Sequence, residues 1–281
     1  MSEVWMDRTI SLAPLTILEL APADMVSCAA QAGYRWVGLR LAAVLPEFPL
    51  AYPVVGAPQV MREILARLDD TGVRVWDVEF VRLAPETRIA DFVPMLEAGA
   101  RLGAKHVLAG GNDPEEARLI QNFGELCEQA ERRGMNVNLE PIPLIDTGTI
   151  SQAARVLAAV DRPNSGIVID PIHFDRAAER FETLAAVPHK WVRYMQFCDA
   201  PAERPDRAGM QHQARFERMV PGEGGLNLMG LLGALPRDLP IALEVPMTEL
   251  ARTVGAVERA KRLFAATRGL LRKLEEGPRT A

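Results

Sequence analysis

Short apolar runs recur along the chain and alternate with longer stretches whose apolar residues return at i, i+3 and i+4. The short runs predict strands at 9–12, 36–41, 73–80, 106–109, 137–140, 166–170, 192–197 and 241–244. Between them, 23–32, 59–70, 90–102, 115–133 and 151–159 read as amphipathic helices, each with charges opposite its apolar stripe. Gly33, Gly72, Gly103 and Gly134 follow four of these helices, where a left-handed residue ends a helix at little cost. Strand, helix and glycine repeated in this way call for a parallel sheet, because a parallel crossover needs a dozen or more residues.

Eight such units predict an α/β fold, a single (β/α)₈ barrel over residues 1–281. A 281-residue chain is close to the roughly 250 residues typical of that fold. A doubly wound sheet is the alternative, but no Gly-x-Gly-x-x-Gly follows the first strand. The least regular segments, 46–58 and 200–221, fall after strands, where a barrel carries its active-site loops. A last helix, 257–274, carries Arg259, Lys261, Arg262, Arg268, Arg272 and Lys273, which read as a solvated basic face.

Composition narrows the partners. With 48% hydrophobic residues the chain can bury a sizeable core, and a net charge of −5 gives no basic footprint for nucleic acid. A small-molecule substrate is expected, with no nucleic acid, no membrane, and room for a homo-oligomer. Three scattered cysteines, Cys28, Cys127 and Cys198, fit neither a disulfide framework nor a zinc knuckle. The first residues show no basic region followed by an apolar one, and no apolar run approaches the ~20 residues of a membrane span. A cytoplasmic protein is the expectation.

The candidate chemistry stands at the carboxyl ends of the last four strands. VNLE ends at Glu140, IVID at Asp170, and IALE at Glu244, while RYMQFCD holds Gln196 near its end and Asp199 just beyond. An ionisable group ending a buried apolar strand is costly unless it is paired or bound to metal. Three carboxylates and one amide oxygen form an all-oxygen set suited to one hard divalent ion, Mn²⁺, Mg²⁺ or Co²⁺, rather than a structural Zn²⁺. Four protein ligands would leave two of six positions for the adjacent oxygens of a hydroxyketone or diol. An enediolate formed from that substrate would be stabilised there.

The ordered set Glu140, Asp170-x-x-His173, Gln196, Asp199, Pro221-Gly222-Glu223-Gly224 and Glu244 resembles the xylose isomerase-like TIM-barrel superfamily. That group includes sugar and sugar-phosphate isomerases and epimerases, inosose and 3-dehydroshikimate dehydratases, and endonuclease IV. The resemblance implies that Glu140 and Glu244 both bind metal and transfer protons. It further implies that His173 touches substrate, as does Arg218 before Pro-Gly-x-Gly, with Arg215 a second candidate. Most relatives have histidine where this chain has Gln196. Some dehydroshikimate dehydratases also carry glutamine there, whereas the histidine that some dehydratases place two residues after the strand-five glutamate is here Ile142.

The leading functional reading is a metal-dependent isomerase or epimerase of a hydroxyketone-type sugar or polyol. A lyase of the dehydroshikimate or inosose dehydratase kind shares its first half-reaction. A zinc endonuclease fits poorly with four histidines and an acidic balance, and a non-catalytic sugar-binding barrel is the fourth reading. Arg40 and Glu79 end strands two and three and are candidate substrate contacts, or a pair across the barrel mouth. His106 begins strand four and reads as structural, while His189 and His212 read as loop residues. Trp36, Trp76 and Trp191 read as packing, and Gly110-Gly111-Asn112 as a tight turn or a backbone contact for phosphate.

Overall fold

The computed structural model describes residues 8–43 and 50–276, and the part of the expected 46–58 loop before residue 50 lies outside them. Among the described residues eight parallel strands close into a barrel in chain order. They are β1 (Ile10–Leu12), β2 (Trp36–Arg40), β3 (Arg74–Leu83), β4 (His106–Gly111), β5 (Asn136–Glu140), β6 (Ser165–Ile169), β7 (Val192–Phe197) and β8 (Ile241–Leu243). Pairing of β1 with β8, Ile10 opposite Ile241, completes the ring. The single-barrel fold expected from the pattern is the fold observed.

The helices that wrap the barrel begin with α1 (Pro22–Gln31), α2 (Pro58–Thr71), α3 (Val93–Arg101), α4 (Glu116–Glu131) and α5 (Ile150–Val160). Pro22 and Pro58 open α1 and α2, where the missing N–H costs nothing. A capping box between Thr149 and Gln152 opens α5. Gly33, Gly72, Gly103 and Gly134 all have positive φ, as their place between helix and strand requires. The remaining helices are α6 (Pro171–Arg176), α7 (Phe181–Ala185), α8 (Arg207–Phe216), α9 (Leu228–Ala234), α10 (Thr248–Ala251) and α11 (Ala256–Glu276).

Two of these revise the expectations. The segment 200–221 contains α8, capped by the Asp206 side chain on the Gly209 N–H at 2.8 Å, and so is not irregular throughout. On α11, Arg259 is buried rather than solvated, donating to the Val254 carbonyl at 2.7 Å and pairing with Glu19. Its guanidinium needs those partners because an unpaired buried charge is costly.

Two apolar layers hold the fold. The larger lies between barrel and helices and includes Val75, Val78 and Val81 of β3. The smaller fills the barrel interior with Ala13, Trp76, Phe80, Leu108, Val168, Tyr194 and Ala242. Trp36 meets Trp76 edge-on, so both tryptophans serve packing. His106 is buried against Trp76 and Tyr194, a structural role as expected.

Candidate active site

Strand register sets the site. Arg40 stands opposite Glu79, Arg82 opposite Gly110, and Gly110 opposite Glu140, at the carboxyl ends of β2 to β5. Asp170 and Glu244 directly follow β6 and β8, and Gln196 lies near the end of β7. All the carboxylates of this ring are buried, together with Asp77 one layer deeper in β3. Above them opens a cavity of about 580 Å³, whose lining includes Arg40, Glu79, Glu140, His173, Arg218 and Glu244. Arg215 also lines it, from the exposed face of α8.

Arg218 holds the far side together. Its guanidinium donates to Asp170 Oδ2 at 2.7 Å, lies 2.9 Å from Glu244 Oε2, and reaches the Glu244 and Ala214 carbonyls at 3.1 and 3.0 Å. The loop that carries Arg218 is organised by Asp199. Its carboxylate accepts the N–H groups of Gly222, Gly224 and Leu226 at 2.9, 3.0 and 3.1 Å. Gly222 has φ +89, and a Cβ on Gly224 would overlap Asp199, which is why this turn reads Pro-Gly-Glu-Gly.

On the near side Arg40 pairs with Glu79 at 3.1 Å, and both also face the cavity. Gln196 turns its amide nitrogen to Glu79 Oε1 at 3.3 Å and Glu244 Oε1 at 3.1 Å. Asp77, not among the expected site residues, accepts the Tyr194 hydroxyl at 2.8 Å. Its i, i+2 relation to Glu79 was the available signal. Gly110 and Gly111 belong to β4 instead of a turn. A Cβ on Gly110 would stand 2.5 Å from the Phe80 ring, so close packing explains the glycine.

The electrostatics are those of an acid cluster short of positive charge. Asp77, Glu79, Glu140, Asp170 and Glu244 face the guanidinium groups of Arg40 and Arg218. Burial, reinforced by Glu244 and Asp170, drives the Glu140 carboxyl well above the usual carboxylate range. Burial and Asp77 do the same to Glu79, and burial raises Glu244 against the pull of Arg218. Asp77 is pushed up to about 7, chiefly by burial. His173 is lowered to about 4 by burial, which keeps its imidazole neutral at pH 7.

The residues present fit a divalent cation. Glu140 Oε1 and Gln196 Oε1 are buried without a hydrogen-bond partner. One donor atom from each of Glu140, Asp170 and His173 lies within 4.8 Å of the other two. His173 Nε2 stands 3.8 Å from Glu140 Oε1 and 4.0 Å from Asp170 Oδ2. Two expected ligands, Glu140 and Asp170, thus meet in one group. Its third member is His173, expected as a substrate contact, while Glu244 leans on Arg218.

Residues 26–270 match the family model of the xylose isomerase-like TIM barrel. The chain belongs to that family. An inosose isomerase of Bacillus velezensis is 29% identical over 157 residues, 52% of this chain and 54% of that protein, so the chain spans about half the length of this curated relative. In structure, the barrel superposes on the IolI protein with a bound zinc atom at TM-score 0.76 and 20% identity, covering 94% of this chain and 98% of that one. It also superposes on D-allulose 3-epimerase from Methylomonas sp. in complex with D-allulose, at TM-score 0.67 and 15% identity over 93% and 97% of the two chains. At these identities the superpositions speak for the shared fold. No helix among the described residues is long and apolar enough to cross a membrane.

Proposed function

We propose that the chain is an isomerase or epimerase of a hydroxyketone-type sugar or polyol, working through an enediolate. The observation that carries this reading is the pair Glu140 and Glu244. Both are buried on the floor of one cavity, and burial raises each carboxyl above the usual carboxylate range, as is common for groups at functional sites. The similarity to an inosose isomerase supports the substrate class.

One carboxylate takes the proton from the carbon beside the substrate carbonyl, and the same or the opposite one returns it at another face or atom. Arg218 holds Glu244 and Asp170 in place and offers positive charge to the oxygen that becomes anionic. His173, neutral at pH 7, stands beside Glu140 to hydrogen-bond a substrate hydroxyl or to serve as a ligand.

Glu140, Asp170 and His173 would hold one divalent cation, with Gln196 and Glu244 within the same ring. Mn²⁺, Mg²⁺ and Co²⁺ suit the oxygen donors, and the histidine nitrogen also admits Zn²⁺. When bound, the ion supplies Lewis-acid polarisation of the carbonyl, worth several kcal/mol of charge stabilisation.

Proton NMR of an inosose and a panel of ketoses, incubated with Mn²⁺-loaded protein, tests the reaction class. An isomeric ketone with water retained is the expected product. New olefinic or aromatic signals from an inosose or from 3-dehydroshikimate would mean that water is expelled. The reaction would then be that of a lyase.

A further inference from the structure

The cavity is divided by polarity in a way that a bare polyol does not explain. Its buried acids lie on the floor with Arg40 and Arg218, while the rest of the wall is mostly apolar, with Arg82, Arg207 and Arg215 set among the apolar side chains. Five large apolar side chains are exposed among the described residues: Leu18, Tyr52, Val55, Phe216 and Met229. Three of them, Leu18 at 38%, Tyr52 at 45% and Phe216 at 47% exposure, line this one cavity. They come from three separate places: the turn after β1, the loop before α2, and the end of α8. Leu144 and Ile145 continue the apolar wall from the loop after β5. Single exposed apolar residues need no account, but their convergence on one opening does.

We propose that the substrate carries an apolar substituent of about ring size on its hydroxycarbonyl unit. The reacting end sits on the acid floor, and the substituent lies against Leu18, Tyr52 and Phe216. The inference rests on the proposed function for the position of the reacting end. Hydroxyls of a sugar or polyol can pair with the floor and with Arg82, Arg207, Gln211 and Arg215, but any part of the substrate that lies on Leu18, Tyr52 and Phe216 loses water there with no partner in return unless it is apolar. An aryl or branched alkyl group would instead gain from the same surface. A cavity of about 580 Å³ lies within the roughly 300–1,000 Å³ range that holds drug-sized ligands.

Hydroxyacetone and 2-hydroxyacetophenone share the hydroxyketone unit and differ by a methyl against a phenyl group, so calorimetric titration with the two probes tests the idea. The phenyl ketone is expected to bind about tenfold tighter or more. In a Tyr52→Ala/Phe216→Ala double variant the preference should fall to about threefold or less, while Met229→Ala, away from the cavity, keeps it. Equal binding of the two ketones to wild-type protein overturns the proposal, as does a preference that survives the double variant. Sedimentation of the same proteins covers a second copy of the chain as occupant. A double variant that dissociates an oligomer while keeping its ligand preference also overturns the proposal. Deuterium entry at the hydroxymethylene carbon reads the proposed reaction separately. Preferential binding without exchange would sink the reaction and keep the substrate class, and exchange without preference would do the converse.

Discussion

At the scale of single residues, two buried histidines tie stability to pH. His106 is lowered to about 3 by burial and by the positive charges of Arg193 and Lys105, and His173 to about 4, first by burial. The Asn138 amide nitrogen stands 3.1 Å from His106 Nδ1, so a proton there would face a donor. Both folded-state values lie below the unfolded ~6.5, so in acid the unfolded chain binds protons that the native one refuses. Each histidine therefore removes roughly 1.4 kcal/mol of stability per pH unit as pH falls from about 6.5 toward its folded value. Urea midpoints measured from pH 7 to pH 4.5 should drop more steeply for wild type than for His106→Gln. Parallel curves would show that His106 is not the buried neutral group described. Asp77 works in the opposite direction. Its folded pKa of about 7 is above the unfolded one, so its contribution is lost as pH rises through 7.

At the scale of elements, β3 shows where sequence reasoning stopped. Its register against β2 shifts between Val37 and Leu39, and against β4 between Val78 and Val81. Val75, Val78 and Val81 face the helices, while Trp76 and Phe80 face the barrel interior. Asp77 meets Tyr194 in that interior, and Glu79 lines the cavity. Asp77 and Glu79 keep the i, i+2 spacing of one face, but Trp76 and Phe80 beside them also face inward, so strict alternation fails along this strand. Strands 5, 6 and 8 were legible because each apolar run leads into a carboxylate, and strand 7 because Gln196 interrupts its apolar run near the end. The cavity wall was not, since Leu18, Tyr52 and Phe216 come together only in three dimensions. The β4 end adds a stability test. A Cβ on Gly111 would overlap the Thr147 side chain and stand 3.0 Å from Leu119, beside the 2.9 Å bond from the Thr147 N–H to the Gly111 carbonyl. Gly111→Ala should cost about 1–3 kcal/mol in denaturant unfolding, and an unchanged midpoint would contradict this packing.

At the scale of the whole molecule, barrel closure gathers acids from β3, β5, β6 and β8 onto one floor although they are far apart in sequence. The fold was readable from the strand–helix–glycine repeat, the family from the ordered motif set, and the carboxyl-end placement of Glu140, Asp170, Gln196 and Glu244 from strand endings. Which of them come together was not, because the position of Arg218 between Asp170 and Glu244 depends on a loop folded around Asp199. The central claim is that Glu140 and Glu244 move the substrate's proton. Deuterium entry beside the carbonyl of a hydroxyketone, followed by NMR in D₂O for wild type, Glu140→Gln and Glu244→Gln, tests it most directly. Wild type should exchange, and at least one variant should lose about a hundredfold or more of that rate. Wild-type exchange rates in both variants would contradict it.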